Sequence, residues 1–351
     1  MKPLSCPRVS SALLDRTSCS YGQLADASFL RFSRSPAWWD QVAKFINVGA
    51  IFESLKCADI PRFEIPIPPL PEQRAIASIL GALDDKIELN RRMNETLEEL
   101  ARTLFKSWFV DFDPVKAKAE GRQPAGMDAE TASLFPSRFV ESELGRIPEG
   151  WFCSSVAELA AINQTSRATS DEFQEIKYVD ISAVSRGDIS GLATFRRGEE
   201  PSRARRRVAD GDTVISTVRP ERAAYFLVHQ PPPNMVVSTG FAVLSPTVAP
   251  WAFLHSMVTQ PDVFIELGRL ADGGAYPAIR ADVIARLTAI WPGSVLAERY
   301  QASAASLYRR ASTNRLESRT LAQLRDLLLP KLMSGELRVP DAEKLAEGGG
   351  S

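Results

Sequence analysis

Between Pro71 and Phe109 the apolar positions recur at alternating steps of four and three. The seam runs Ile76, Leu80, Leu83, Ile87, Asn90, Asn94, Leu97, Ala101, Leu104, Trp108. A heptad pattern of this kind keeps one stripe of a helix turned toward a partner. Pro71 suits a first helical position, and Glu72 complements the positive end of the helix dipole. Such a helix would be a rod of roughly 58 Å. Gly81 is its weak point, at about 1 kcal/mol relative to Ala. Alone, the rod would expose its stripe, so the pattern predicts a partner helix.

The partner is found 224 residues later in the same chain, where the seam recurs as Tyr300, Ala304, Leu307, Ala311, Asn314, Ser318, Leu321, Arg325, Leu328, Leu332. Identities at that shift include Leu83/Leu307, Asn90/Asn314, Arg91/Arg315, Leu97/Leu321 and Leu104/Leu328. Outside the helices it also pairs Phe29/Phe253, Gly49/Gly273 and Pro68/Pro292. An internal duplication accounts for this best; the alternative is two long helices in unrelated contexts. Polar residues fall at matching places, Asn90 and Asn94 in one seam, Asn314 and Ser318 in the other. In a paired coil they would form one polar layer that fixes register at some cost in stability.

The rest of the chain has shorter periods. Residues 1–28 have no clear pattern and do not match their counterparts at 225–252. Trp38–Phe45 reads as a short helix, and Phe63–Pro69 as an extended lead-in to the long one. Residues 111–151, with Pro114, Pro124, Pro136 and Pro148, read as a meandering connection. From Trp151 to about Pro292 short apolar runs predict strands at Lys177–Ile181, Thr213–Thr217, Ala224–Val228, Met235–Val237 and Gly240–Leu244. Trp251–Thr259 and Asp262–Leu270 read as helices, and Val283–Trp291 as a helix or a strand. This unit is therefore mixed α/β. The end of the chain, Arg338–Ser351, reads as flexible.

With a net charge of −1, no global basic field marks nucleic-acid binding, so any such surface must be local. Four scattered cysteines without a CxxC, and two histidines, argue against a zinc site and fit a reducing cytoplasm. No apolar run approaches the roughly 18 residues of a membrane span.

Two local clusters carry candidate chemistry. Arg196–Arg207 (RRGEEPSRARRR) is arginine-rich, and its glutamates and proline suggest a loop. Gly211–Arg222 (GDTVISTVRPER) places Ser216, Thr217, Arg219 and Arg222 at a strand end and the loop after it. Charge clustering and loop position make Arg203, Arg205, Arg206, Arg207, Ser216, Thr217, Arg219 and Arg222 the candidate DNA-binding face. A solvated loop and ordinary strand termination would give the same sequence. Gly240 in VVSTGFAVLSP permits a tight backbone. Catalytic signatures fail when checked. QPPPN (230–234) is not the motif of adenine methyltransferases, there is no GxxxxGK loop, and His229 and His255 lack a persuasive Ser or Cys partner.

The stretch PLPEQRAIASILGALDDKIELNRRMNETLEELARTLFKSWFVDFDP (70–114) closely resembles the central spacer of type I restriction-modification specificity subunits. GMDAETASLFPSRFVESELGRIPEGW (126–151), GDTVISTVRP, STGFAVLSP and LLLPKLMSGELRV (327–339) fit the same family. The resemblance covers roughly residues 29–340. It implies mixed α/β target recognition domains held apart by two long helices in an antiparallel coiled coil. The coiled-coil seam would include Leu83, Ile87, Asn90, Asn94, Leu97, Leu104, Leu307, Asn314, Leu321 and Leu328. It further implies a subunit without an active site or cofactor of its own. S-adenosylmethionine, ATP and Mg would be bound by partners, namely methyltransferase subunits and motor-nuclease subunits, acting on double-stranded DNA in the cytoplasm.

The expected organisation is a remnant of a first recognition domain at 1–66, a first spacer helix at 67–110 and a connecting segment at 111–150. A complete recognition domain at 151–292, a second spacer helix at 293–334 and a flexible tail at 335–351 follow. One complete head makes the chain look like a half-size or N-terminally truncated specificity subunit. A homodimer would restore two heads and read an interrupted palindrome. The competing readings are a coiled-coil interaction protein whose globular part binds something other than DNA, and a truncated subunit without productive recognition.

Overall fold

The computed structural model describes residues 36–48, 53–64, 68–142, 145–166, 173–274 and 276–342. Most of the expected 1–66 remnant, and residues 343–351 of the expected tail, lie outside the described residues. Two long helices, Leu70–Phe109 and Ser294–Ser334, dominate the secondary structure. The second continues through Pro330 near its end, at the loss of one i→i−4 backbone hydrogen bond. Every residue of both heptad seams is buried or half-buried. Off the seams, Leu89, Leu100, Leu316 and Leu327 are exposed.

The chain divides into two compact units. One comprises residues up to Arg91 and from Leu316 onward; the other comprises Arg92–Arg315. In the first, Ile76, Leu80 and Leu83 share a core with Leu321, Leu328 and Leu332. Arg325 donates to Asp84 at 2.8 Å, while Asn90 donates to Glu317 at 2.7 Å and to Ser318 at 3.3 Å. As one helix advances the other retreats, so the two segments run antiparallel. Residues 335–342, expected within a flexible tail, fold back instead. Leu337 N donates to Lys331 O at 3.0 Å, and Leu337, Val339 and fully buried Ala342 pack against the same core. Trp38 and Phe45 of the short helix Pro36–Phe45 pack on Phe63, with centroids 5.0 and 5.4 Å apart.

The second unit is layered. Its two main sheets are built from β1 (Ala160–Ile162), β2 (Glu175–Val179), β3 (Ala193–Arg196), β4 (Ala204–Arg207), β5 (Thr213–Ser216), β6 (Tyr225–Leu227), β7 (Met235–Ser238) and β8 (Phe241–Pro246). They form two four-stranded sheets, ordered β3-β2-β7-β4 and β6-β5-β8-β1. All neighbours are antiparallel except β2 and β7. Side chains alternate across the pleat. Val179 and Val237 of one sheet therefore meet Val214, Phe226 and Val243 of the other. On the far face of the second sheet, Ile215, Ala242 and Leu244 pack on the helix Trp251–Val258, which is buried from Ala252 to Val258. Enclosure of β5 on both faces explains why all four of its residues, TVIS, are buried.

That buried helix joins the layers to the long helices. Phe253 lies 5.2 Å from Phe105, 5.0 Å from Phe109 and 5.2 Å from Trp291, centroid to centroid. Tyr300 donates to Ala101 O at 2.9 Å, and its hydroxyl meets Ser256 Oγ at 2.6 Å. Burial pushes the Tyr300 phenol well above its ordinary range. Residues 111–151 differ from the meandering connection expected. They form the helix Asp113–Ala119, a short helix capped by Asp128 and the hairpin strands 139–142 and 145–148. Val115, Phe135 and Trp151 are buried in the main core. Their anchors are too irregularly spaced to show a period. Val283–Trp291 resolves into both expected forms, a helix Ala281–Ala285 and a strand Thr288–Trp291 paired with Phe152–Ser155.

Candidate nucleic-acid interface

The two arginine-bearing segments converge on one turn, Ser238–Gly240, where the chain leaves β7 in one sheet and begins β8 in the other. Thr239 N donates to Arg203 O at 2.9 Å, and Arg206 Nη2 donates to Thr239 O at 3.3 Å. From the other side, Thr217 donates to Gly240 O through both its backbone N–H and its hydroxyl, each at 2.9 Å. A Cβ at Gly240 would meet the end of the Ile181 side chain, which would have to shift to make room.

The arginine-rich segment is a loop only over residues 197–203; Ala204–Arg207 is the edge strand β4. Charged residues blunt an exposed edge, so the composition that suggested a loop is also that of a protected strand. The ladder to β7 pairs Ala204 with Ser238 and Arg206 with Val237, leaving Arg205 as the extra residue of a bulge. Arg203 is exposed and Arg205 half-buried, with Arg205 Nε donating to Ser202 O at 3.0 Å. Arg207 lies over the Phe173 ring, 5.5 Å from its centroid. Arg206 turns inward. Its Nε is buried with no hydrogen-bond partner among the described residues, and burial lowers its pKa.

The loop after β5 is bounded by two non-glycine residues in the left-handed region, Arg219 (φ 48°) and Ala223 (φ 52°). The Arg219 guanidinium lies over the Tyr276 ring, 4.6 Å from its centroid, and Arg222 is exposed. Ser216 and Thr217 do not join this surface. Both are buried, the Ser216 hydroxyl donates to Val218 O at 2.8 Å, and that of Thr217 is held by Gly240. Hydroxyl residues at a strand end look alike in sequence whether they face water or brace a turn. Tyr276 and Phe173, which stack on arginines of this surface, escaped the sequence reading. The glycine pair Gly273-Gly274 before Tyr276-Pro277 marks a loop but says nothing about stacking.

The hairpin Val184–Ile189 meets the long helices within this unit. Arg315 of the second helix forms an ion pair with Glu98 of the first, and its Nε lies 3.9 Å from Asp188. Gly187, at φ +72°, faces this pair; a Cβ there would lie 2.9 Å from Arg315 Nη2. Among the described residues no group of His, Cys, Asp and Glu is arranged to hold a metal, and no helix is long and apolar enough to cross a membrane.

Residues 40–99 match the family described as the type I restriction modification DNA specificity domain. The HindI specificity subunit of a Haemophilus influenzae type I restriction enzyme is 28% identical, covering 82% of this chain and 72% of its own. The MjaIX specificity subunit of Methanocaldococcus jannaschii is 25% identical, covering 85% of this chain and 66% of its own. A crystal structure of the type I restriction-modification S subunit from M. genitalium aligns with 88% of this chain and 73% of that one, at 15% identity and a TM-score of 0.44. The resemblance read from the sequence holds, and the chain is related over most of its length to type I specificity subunits.

Proposed function

We propose that this chain, a relative of type I specificity subunits, is the sequence-specific DNA-recognition subunit of a type I restriction-modification complex. The observation that carries the reading is the meeting of the two arginine-bearing segments at the Ser238–Gly240 turn of a layered α/β head, through Arg203 O, Arg206 Nη2 and Thr217. Exposed guanidinium groups neutralise phosphates, and arginines in a braced loop can address base edges. Residues 151–292 act as the recognition head. The long helices, 67–110 and 293–334, serve as an antiparallel coiled-coil spacer on which methyltransferase subunits dock; motor-nuclease subunits complete the assembly. The head reads DNA and leaves the chemistry to these partners, which hold S-adenosylmethionine, ATP and Mg in the cytoplasm. Two copies pairing through their helices would present identical heads in inverted orientation, and the target would then be an interrupted palindrome.

Duplex DNA binding by the chain co-purified with its methyltransferase tests the reading. Affinity should fall steeply and linearly in log–log form as salt rises. Binding that is absent, or insensitive to salt, would remove it.

A further inference from the structure

The loop after β5 and the loop after the helix Pro261–Arg269 are zipped together by backbone hydrogen bonds. Arg219 N donates to Pro277 O at 2.7 Å, Ile279 N donates to Thr217 O at 2.8 Å, and Val218 bridges Ala278. The second loop is closed at its base, where Asp272 and Ala278 exchange N–H···O bonds at 3.1 and 2.8 Å. Near its tip Tyr276 N donates to Gly273 O at 2.9 Å, with Gly273 at φ +113°. So tightly braced a loop fixes where Tyr276 stands. Its side chain is nevertheless 71% exposed, more than any other large apolar or aromatic residue among those described.

An aromatic ring left in water this way is covered on one side by Arg219. The Arg219 backbone is itself held in the left-handed region, a cost that structures keep mainly at functional positions. Stacking engages the face of a guanidinium, so a ring beneath it sets the plane of the N–H edge without competing for those donors. A guanidinium of fixed plane is what bidentate recognition of guanine O6 and N7 requires in the major groove. We propose that Tyr276 is a positioning residue that presents Arg219 to one guanine of the target, and that the pair specifies that base. This rests on the DNA-recognition reading above and deepens it.

The test uses the complex with its methyltransferase, with Arg219→Lys, Tyr276→Ala and Tyr276→Phe, and maps N6-methyladenine across a genome by long-read sequencing. Arg219→Lys and Tyr276→Ala should relax the same single G·C position, lowering preference there by about 5- to 150-fold. Tyr276→Phe keeps the ring and should keep the target. Should Tyr276→Ala lose methylation at all sites, Tyr276→Leu takes its place under the same criterion. An unchanged target in the alanine or leucine variant, relaxation at a different position from Arg219→Lys, or a phenylalanine variant that behaves like alanine would overturn the proposal. A wild-type complex that marks no defined sequence would instead overturn the recognition reading itself.

Discussion

Asn314 donates from Nδ2 to Oδ1 of Asn94 at 2.9 Å, and both side chains are buried where the two long helices meet. An amide pair inside an apolar seam is held in one register by its own hydrogen bond. Truncating one partner strands the other, so Asn94→Ala should cost about 1–3 kcal/mol. Replacing both by Leu should recover most of that loss or exceed the parent stability, while weakening the preference for one register. Urea unfolding of the single and double variants measures the coupling; strictly additive losses would contradict it.

The hairpin against the helix pair gives a second test. Gly187→Ala places a Cβ against Arg315 and Glu98 at a left-handed backbone position. The backbone term alone should cost about 1–2 kcal/mol, and the ion pair must shift as well. A parent-like denaturation midpoint would show that the hairpin yields freely.

Arginines on β4 should separate by burial. Removing exposed Arg203 together with Arg205 should leave stability within about 0.5 kcal/mol. It should also flatten the log–log salt dependence of DNA binding by about 0.9 for each phosphate no longer neutralised. Arg206→Ala should instead lower the unfolding free energy, because its inward guanidinium braces Thr239. If the two variants behave alike in both assays, the division of roles is wrong.

Burial, with Arg102 contributing, holds the His255 imidazole down at about 3, and its Nδ1 lies 3.1 Å from Thr213 Oγ1. Its pKa is depressed on folding, so the neutral form belongs to the folded state. The unfolded chain takes up this proton below about pH 6.5, and the folded chain does not until near pH 3. Stability tied to His255 is therefore full above about pH 6.5 and lost as pH falls, by at most about 1.4 kcal/mol per unit. Between pH 7 and pH 5 the protein should lose about 2 kcal/mol from this group. His255→Gln should remove that part of the slope, as read from denaturant midpoints at both pH values.

The two long helices were legible in the sequence, because a period sustained over so many turns has few other readings. Periodicity placed every seam side chain on a covered face, and the matching polar positions became the Asn90–Ser318 and Asn94–Asn314 hydrogen bonds. Strands β2 and β5 to β8 were legible to within about two residues, since their apolar runs fill two-sided cores. Strand β4 was hidden because its pattern is written in arginines, and edge pairing depends on a partner 30 residues away. Ser216 and Thr217 were misplaced for a related reason: their burial follows from the turn at Gly240, which closes only in the folded chain. Tyr276 lay outside the reading because its significance is a long-range stack, set by two loops of unrelated sequence.

The most direct measurement is a methylation map of cells carrying the methyltransferase partner, with and without this chain. N6-methyladenine at one defined sequence should appear only when the chain is present, and combined loss of Arg203, Arg205 and Arg219 should abolish it. Identical maps with and without the chain would contradict the account.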